Sequence, residues 1–385
     1  MDLVVTSLEA WDGVWRRNQH LVAGLLRRDP SLRVLFVEPS SDPLHAALGD
    51  GEPRLGRGLR PAPVLDGVAP SALWLFEPTK WLPRRVDRSA DERWARQVLK
   101  AARSLGMPDA LLWVNDPRGA LLLEATSWPA LYDVTDDWSL AERAPAETRR
   151  TRAHESVLLR RCDEVVVCSP ALAVSKGAAR PVTIVPNGVD TAAYARTHER
   201  PADLPTGPVA LYVGTLHDDR LDVDLCADTA RAIAGAGHLV LVGPDALPAG
   251  RRSRLEEAGA VLLGSRHSDD VPAYLQHAGL LVVPHVVTPF TDSLDPIKLY
   301  EYQAAGRRVV ATPVAGFRDL DDELVDVVER SAFPAAVTRL LGGAEAPDGS
   351  RETHAATDRL AAIDWSRRVD QMAGVLVGLT GKVAP

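Results

Sequence analysis

Lys298 and Glu301 stand three residues apart in TDSLDPIKLYEYQAAGRRVVATPVAG, residues 291–316. On a helix that spacing brings two side chains to nearly one face. Asp295-Pro296 before them has the form of an N-cap followed by a proline in the first helical turn. Gly306 after them suits the residue that closes a helix. The start of such a helix, at Ile297, offers free N–H groups and the positive end of a dipole, which suits a diphosphate. Lys298 adds a cation. A carboxylate at Glu301 cannot favour phosphate, so its chemistry is to accept hydrogen bonds from sugar hydroxyls. The plain alternative is an exposed i,i+3 ion pair on a solvated helix.

A second cation comes from YVGTLHDDRLD, residues 212–222. An apolar run ends at Gly214, where the backbone can approach a ligand closely, and Thr215 and Arg220 follow. Arg220 and Lys298 together match a diphosphate of about two negative charges, so no divalent cation is called for. His20, His217 and His285 lack ligand spacing, so no metal site is read; a surface role for Arg220 is the alternative. Two further segments offer an acceptor side. SLEAWDGVWRRNQHL (7–21) places Trp11, Asp12, Trp15, Arg16, Asn18 and Gln19 after a strand. Two tryptophans and an arginine suit a sugar or lipid-linked acceptor, although Trp11 and Trp15 also have core-like i,i+4 spacing. YDVTDDW (132–138) ends another strand with Asp133, Asp136 and Asp137. Asp136 and Asp137 are catalytic candidates, or else helix N-caps.

These segments need rigid strand ends to hold them. Short apolar runs at 3–7, 33–39, 73–76, 110–116, 130–136, 164–169 and 182–188 read as strands buried on both faces of a parallel sheet. Helical patterns at 18–28, 91–105 and 149–161 fit between them. The rhythm restarts with runs at 209–215, 238–244, 260–265, 279–285 and 307–314, and helices at 222–236, 268–277, 296–305 and 333–341. The fold class is α/β: two Rossmann-like doubly wound parallel-sheet domains facing a cleft. Residues 1–190 form the first domain and 209–349 the second. Residues 191–208, with Pro201, Pro205, Gly207 and Pro208, have linker composition. The tail, 350–385, reads as a helix.

The segment 291–316 resembles the donor-site helix of retaining GT-B glycosyltransferases, above all glycosyltransferase family 4. The family pattern is P-x-K-x-x-E-(Y/A)-x-A-x-G-x-P-V-V. Pro296, Lys298, Glu301, Tyr302, Ala304, Gly306, Val309 and Val310 match it, and Arg308 replaces a proline. The resemblance implies that Glu301 binds the ribose of a nucleotide. It also implies a second acid eight positions earlier, where Ser293 stands, with Asp292 or Asp295 expected to fill in. Gly214, Thr215 and Arg220 fall on the family's V-G-R-L-x-x-x-K-G diphosphate loop, with one cation lost and one kept. VPNGVD (185–190) resembles the end of the first domain. GSRHSDDVPAYLQHAGLLVVP (264–284), with Arg266, resembles the part that reads the base. AIDWSRRVDQM (362–372) resembles the crossing tail. The wording DPIKLYEY and WRRNQHL is most similar to bacterial polysaccharide or cell-wall (teichuronic-type) enzymes. The implied activity is retaining, metal-independent transfer from a nucleotide-diphosphate-sugar to a glycan, lipid-linked or small-molecule acceptor, with no cofactor. A nucleotide-sugar 2-epimerase and a non-catalytic GT-B subunit are the alternatives.

Composition sets outer limits. The chain has 385 residues, 46% hydrophobic and 25% charged, as in globular domains. Residues 1–190 hold 25 basic and 25 acidic side chains, so the net −8 falls on the rest, contrary to the basic excess of a nucleic-acid binder. Three cysteines without a CxxC pair, Cys162, Cys168 and Cys226, point to a reducing compartment. The start is not a signal peptide and no run is long enough to span a membrane, so a cytoplasmic location is expected. Arg84 and Arg85, after Trp81-Leu82-Pro83, are candidates for peripheral contact with anionic headgroups, with a solvated charged face as the alternative.

Overall fold

The structure, a computed structural model, describes residues 1–48, 53–82, 84, 86, 87, 89–138, 140, 144–343 and 354–381. The first sheet contains β1 (Asp2–Thr6), β2 (Arg33–Val37), β3 (Gly58–Pro61), β4 (Leu73–Glu77), β5 (Leu111–Val114), β6 (Ala130–Val134), β7 (Glu164–Val167) and β8 (Thr183–Ile184). Its order is β3-β4-β2-β1-β5-β6-β7-β8. The second contains β9 (Val209–Val213), β10 (His238–Val242), β11 (Val261–Gly264), β12 (Leu280–Val283), β13 (Val309–Ala311) and β14 (Val325–Val327), in the order β11-β10-β9-β12-β13-β14. All pairings are parallel except β3 with β4. β3 was not legible as a strand: it is a four-residue edge ending in Pro61, where a missing N–H does no harm.

The continuously apolar runs form the central strands because helices cover both faces and leave no solvated side. β5, β6 and β9, for example, are buried at every position. In each sheet the chain reverses its winding beside the first strand, at β1/β5 and at β9/β12. Ligands bind at such switch points, outside the carboxyl ends of the strands.

The tail is two helices rather than one. His354–Ile363 and Trp365–Thr380 break at Asp364, which caps the second through Ser366 N at 2.8 Å. The same carboxylate accepts from Thr191 N and Oγ1 at 3.1 and 2.7 Å, so the break fastens the tail to the hinge. Trp365, Val369, Met372, Leu376 and Leu379 then pack with Leu21, Val22, Leu25 and Leu26 of the helix Arg17–Arg28. Each buried aliphatic side chain there is worth about 1.5–3 kcal/mol. Gly24 allows the helices to meet, since a Cβ would stand 2.2 Å from Val369 Cγ2. Residues 191–208 do not hang free. The helix Thr191–Ala195 begins them, and Gln276 holds Tyr194 O and Arg196 O at 3.0 and 2.7 Å.

Candidate active site

The two switch points open on one cleft of about 1350 Å³. Its donor-side floor is built from glycine. Gly214 has φ +156°, and a Cβ there would lie 2.9 Å from Tyr212 Oη and 3.1 Å from Lys298 Nζ. Gly243 has φ +148°, and its Cβ would collide with Gly214 O at 2.0 Å. The ends of β9 and β10 therefore approach closely, and both glycines line the cleft. Opposite them starts the helix Ile297–Ala305, closed by Gly306 at φ +62°. Its N-cap is Pro296, and no side chain caps its first turn, so the N–H groups of the opening residues face the cleft unclaimed by a side chain.

Lys298 and Glu301 leave this helix toward the same space. Among the described residues, neither is bonded into an ion pair; the Lys298 ammonium instead sits 5.3 Å from the centre of the Tyr212 ring. The exposed-pair alternative is thereby removed. Enclosure, then the Arg220 charge, pushes Lys298 down to about 8, with Glu301 opposing. Enclosure pushes the Glu301 carboxyl up to about 7, with Lys298 opposing. Two charges held without partners at such cost are typical of a ligand site. Arg220 reaches in from the β9 loop, paired with Asp219 at 3.1 Å and 5.9 Å from the Phe290 ring centre. Burial works against its charge, but Asp219 and Asp136 outweigh it and raise its pKa. Val286 N donates to Arg220 O at 2.9 Å, tying this loop to the end of β12. His285 adjoins, 3.1 Å from Tyr212 Oη; burial, then Lys298 and Arg220, holds its pKa well below the usual value, so the ring is neutral.

The family described as Glycosyl transferases group 1 matches residues 207–342. That stretch is similar to a glycosyltransferase group 1 domain. Over 251 residues the chain is 25% identical to TuaH of Bacillus subtilis (strain 168), named as a teichuronic acid biosynthesis glycosyltransferase. The match covers 60% of this chain and 63% of that relative, so it spans under two thirds of the relative's length. Among solved structures, an E. coli trehalose-6-phosphate structure bound with UDP-2-fluoro glucose superposes with TM-score 0.66 at 12% identity, covering 98% and 99% of the two chains. The α,α-trehalose-phosphate synthase (UDP-forming) of Burkholderia vietnamiensis gives 0.65 at 15%, covering 97% and 96%. Anabaena Alr3699/HepE in complex with UDP and glucose gives 0.63 at 15%, covering 98% and 99%. The fold is GT-B.

Several residues near the group 1 domain's helix sit otherwise than expected. Asp295 is not the N-cap: its carboxylate accepts from Asn187 N at 2.6 Å and Tyr300 Oη at 2.7 Å, a hinge bond instead of a helix cap. Asp292 turns to the outer surface and pairs with Arg318 at 3.1 Å. Ser293 is buried, donating to Phe290 O and accepting from Asp137 N at 3.3 Å. Neither Asp292 nor Ser293 lines the cleft, and Asp295, which does, is claimed by the hinge. Arg266 lines it too, but its guanidinium is taken by Asp203, Tyr274 and two carbonyls. Thr215, Pro296 and Ile297 line it too.

On the first-domain wall, Asp12, Trp15, Arg16 and Asp136 line the cleft. Asp137 does not. It is buried against Lys176 at 3.0 Å, which makes it structural. Asp133 is likewise fully buried, held by Arg17. Trp11 touches the cleft but is 6% exposed, set edge-on to Phe36, so most of it is core. Asn18 is an anchor, donating to Ser7 Oγ at 3.2 Å and Asn115 Oδ1 at 2.9 Å. Arg84 pairs with Asp91 at 2.7 Å, and Arg85 lies outside the described residues. Glu9, Trp138, Tyr194, Asn187 and His285 also line the cleft, although no motif in the sequence singles them out for it. Glu9 and His285 lie just past the ends of β1 and β12, which was the available signal.

Proposed function

We propose that this protein transfers a sugar from a nucleotide-diphosphate-sugar to a glycan or lipid-linked acceptor, with retention and without a divalent metal. The observation that carries the proposal is the donor corner: an uncapped helix start, two unpaired charges on one face of that helix, and Arg220 across a floor free of side chains. The N–H groups, Lys298 and Arg220 would hold the diphosphate, and Glu301 would accept from ribose hydroxyls. The bond from the anomeric carbon to the diphosphate oxygen breaks, and the acceptor oxygen bonds to that carbon on the same face. The acceptor's proton passes to the leaving phosphate oxygen. Lys298 and Arg220 would stabilise the charge that grows there. The UDP and UDP-sugar complexes of the structural neighbours support this class of donor.

A lipid-linked acceptor would bring the protein to the cytoplasmic face of a membrane. Among the described residues no helix is long and apolar enough to cross one. Trp81, Leu82 and Val86 stand exposed beside Arg84, as a peripheral contact would require. Thermal unfolding against UDP, GDP, dTDP and ADP tests the donor site. A nucleotide at 100 times its dissociation constant adds about 2.7 kcal/mol and raises the Tm. No response to any of the four would refute the assignment. Turnover should persist in EDTA; loss restored by magnesium or manganese would refute the metal-free charge balance.

A further inference from the structure

Glu9 has no place in the donor site, yet the chain holds its loop with unusual care. Glu9 N donates to Ser7 Oγ at 3.0 Å. Asn18 donates to that same hydroxyl and to Asn115 Oδ1, while Asn115 Nδ2 donates to Asp133 O at 3.1 Å and Thr135 Oγ1 at 3.3 Å. On the other side, Gln19 Nε2 donates to Ala10 O at 2.9 Å. The loop after β1 and the loop after β6, which carries Asp136, are thus one hydrogen-bonded unit. Both Glu9 and Asp136 line the cleft, and Asn18 closes its base. Asn18 is 2% exposed and, among the described residues, leaves its side-chain oxygen without a hydrogen-bond partner.

The charges around Glu9 come from every side of this corner. Asp12 and Arg16 share its loop, Asp136 comes from the β6 loop, and Arg220 from the donor domain. Arg16 is already divided between Glu9 at 3.2 Å, Asp12 at 3.7 Å and Val14 O at 3.0 Å. Arg220 already faces Asp219. Enclosure pushes the Glu9 carboxyl up to about 7, Arg16 opposing, with Asp136 and Asp12 adding to the rise. Its side chain nonetheless keeps 37% exposure, because the opening is the cleft itself.

We propose that Glu9, with the Asn18 oxygen, seats the reacting hydroxyl of the acceptor, and that the acceptor's reacting ring is an uncharged sugar and not a phosphorylated or carboxylated one. The proposal rests on the glycosyltransferase reading. Glu9 and the Asn18 oxygen call for hydroxyl donors, and among the described residues the cations beside them, Arg16 and Arg220, are already partnered. An anionic ring there would meet Glu9, Asp12, Asp136 and the donor's diphosphate together. Glu9 accepts the hydroxyl's hydrogen bond and orients its oxygen toward the anomeric carbon; the proton still leaves on the phosphate.

The test compares parent, Glu9→Gln and Glu9→Asp, using the nucleotide and nucleotide-sugar that the thermal screen selects. Acceptor probes are methyl glucoside, methyl glucuronide and glucose 6-phosphate. Nucleotide affinity should be equal in all three proteins. Glu9→Gln should lower kcat/KM for methyl glucoside at least tenfold. In the parent that kcat/KM should rise with pH through an ionisation near or above 7; Glu9→Asp should keep the rise and Glu9→Gln should lose it. A loop held merely in shape by Glu9 would not produce that difference in pH profile. Transfer by Glu9→Gln equal to the parent's at every pH overturns the role of Glu9. Preference for methyl glucuronide or glucose 6-phosphate overturns the acceptor class. A parent that binds nucleotide but transfers to no probe overturns the acceptor seat alone. A parent that binds no nucleotide overturns the glycosyltransferase reading, and this proposal with it.

Discussion

Glu301 is the side chain on which the proposed donor site turns. Its carboxyl is enclosed and, among the described residues, makes no ion pair, so a ligand hydroxyl is its natural bond in that proposal. Glu301→Ala should weaken nucleotide-sugar binding by roughly 1.5–3 kcal/mol, the range for a hydrogen bond to a charged group. Calorimetry measures this, and an unchanged dissociation constant would move the site elsewhere. The raised carboxyl also marks stability. Its folded value, about 7, lies above the ordinary 4.5, so the folded state holds the extra proton between these values. Stability of the ligand-free protein should therefore fall as pH rises through that window, and less steeply in Glu301→Gln. Lys298 is shifted the other way, to about 8. A bound diphosphate favours the ammonium, so nucleotide binding at about pH 8.5 should take up protons. Titrations in buffers of different ionisation enthalpy read the uptake; proton release, or equal uptake in Lys298→Arg, would contradict it.

At the level of elements, the donor corner depends on two strand ends meeting a helix start. At Gly214 a Cβ would stand 2.9 Å from Tyr212 Oη and 3.1 Å from Lys298 Nζ. Gly214→Ala introduces both a crowded Cβ and a φ that L side chains rarely adopt. Lys298 must shift, and nucleotide affinity should drop at least about tenfold, or roughly 1.4 kcal/mol. The circular dichroism of the variant should match the parent's, since β9 itself is untouched. Parent-like affinity would mean that the floor is not where the diphosphate lies. The helix Ile297–Ala305 was readable from its Gly306 stop and its Lys-x-x-Glu spacing. Its start was not. Asp295 looks like a cap in the chain, but Asn187, distant in sequence, offers its carboxylate a better bond than the helix does.

Across the whole molecule, one buried polar chain joins the domains. Arg17 grips Asp133 at 3.0 Å and reaches Pro186 O and Asn187 Oδ1 at 3.2 and 3.3 Å. Asn187 continues to Asp295 beside the donor helix, and Arg368 of the tail donates to Asn187 O at 3.0 Å. Arg17→Ala leaves Asp133 charged and unpaired at zero exposure. Loss of one partner from a buried pair costs roughly 3–5 kcal/mol, so chemical denaturation should show a shift of that order. A change under about 1 kcal/mol would mean that water or a neighbour replaces the guanidinium.

The sequence alone was enough for the two parallel sheets, because strands buried on both faces must be apolar throughout and their spacing leaves room only for crossover helices. It was enough for Gly214, Arg220, Lys298 and Glu301, because local chemistry places them: a glycine at a strand end, a helix start, and one turn of that helix. It did not reveal that Asp292, Ser293 and Asp137 turn away from the cleft, or that Asp295 serves the hinge. Those outcomes rest on partners such as Arg318, Lys176 and Asn187, whose proximity is created only when the chain has folded. Glu9 belongs to the same class. A carboxylate three residues past β1 is ordinary in one dimension, and only the folded chain encloses it, shifts its proton and brings Arg220 of the second domain within electrostatic reach.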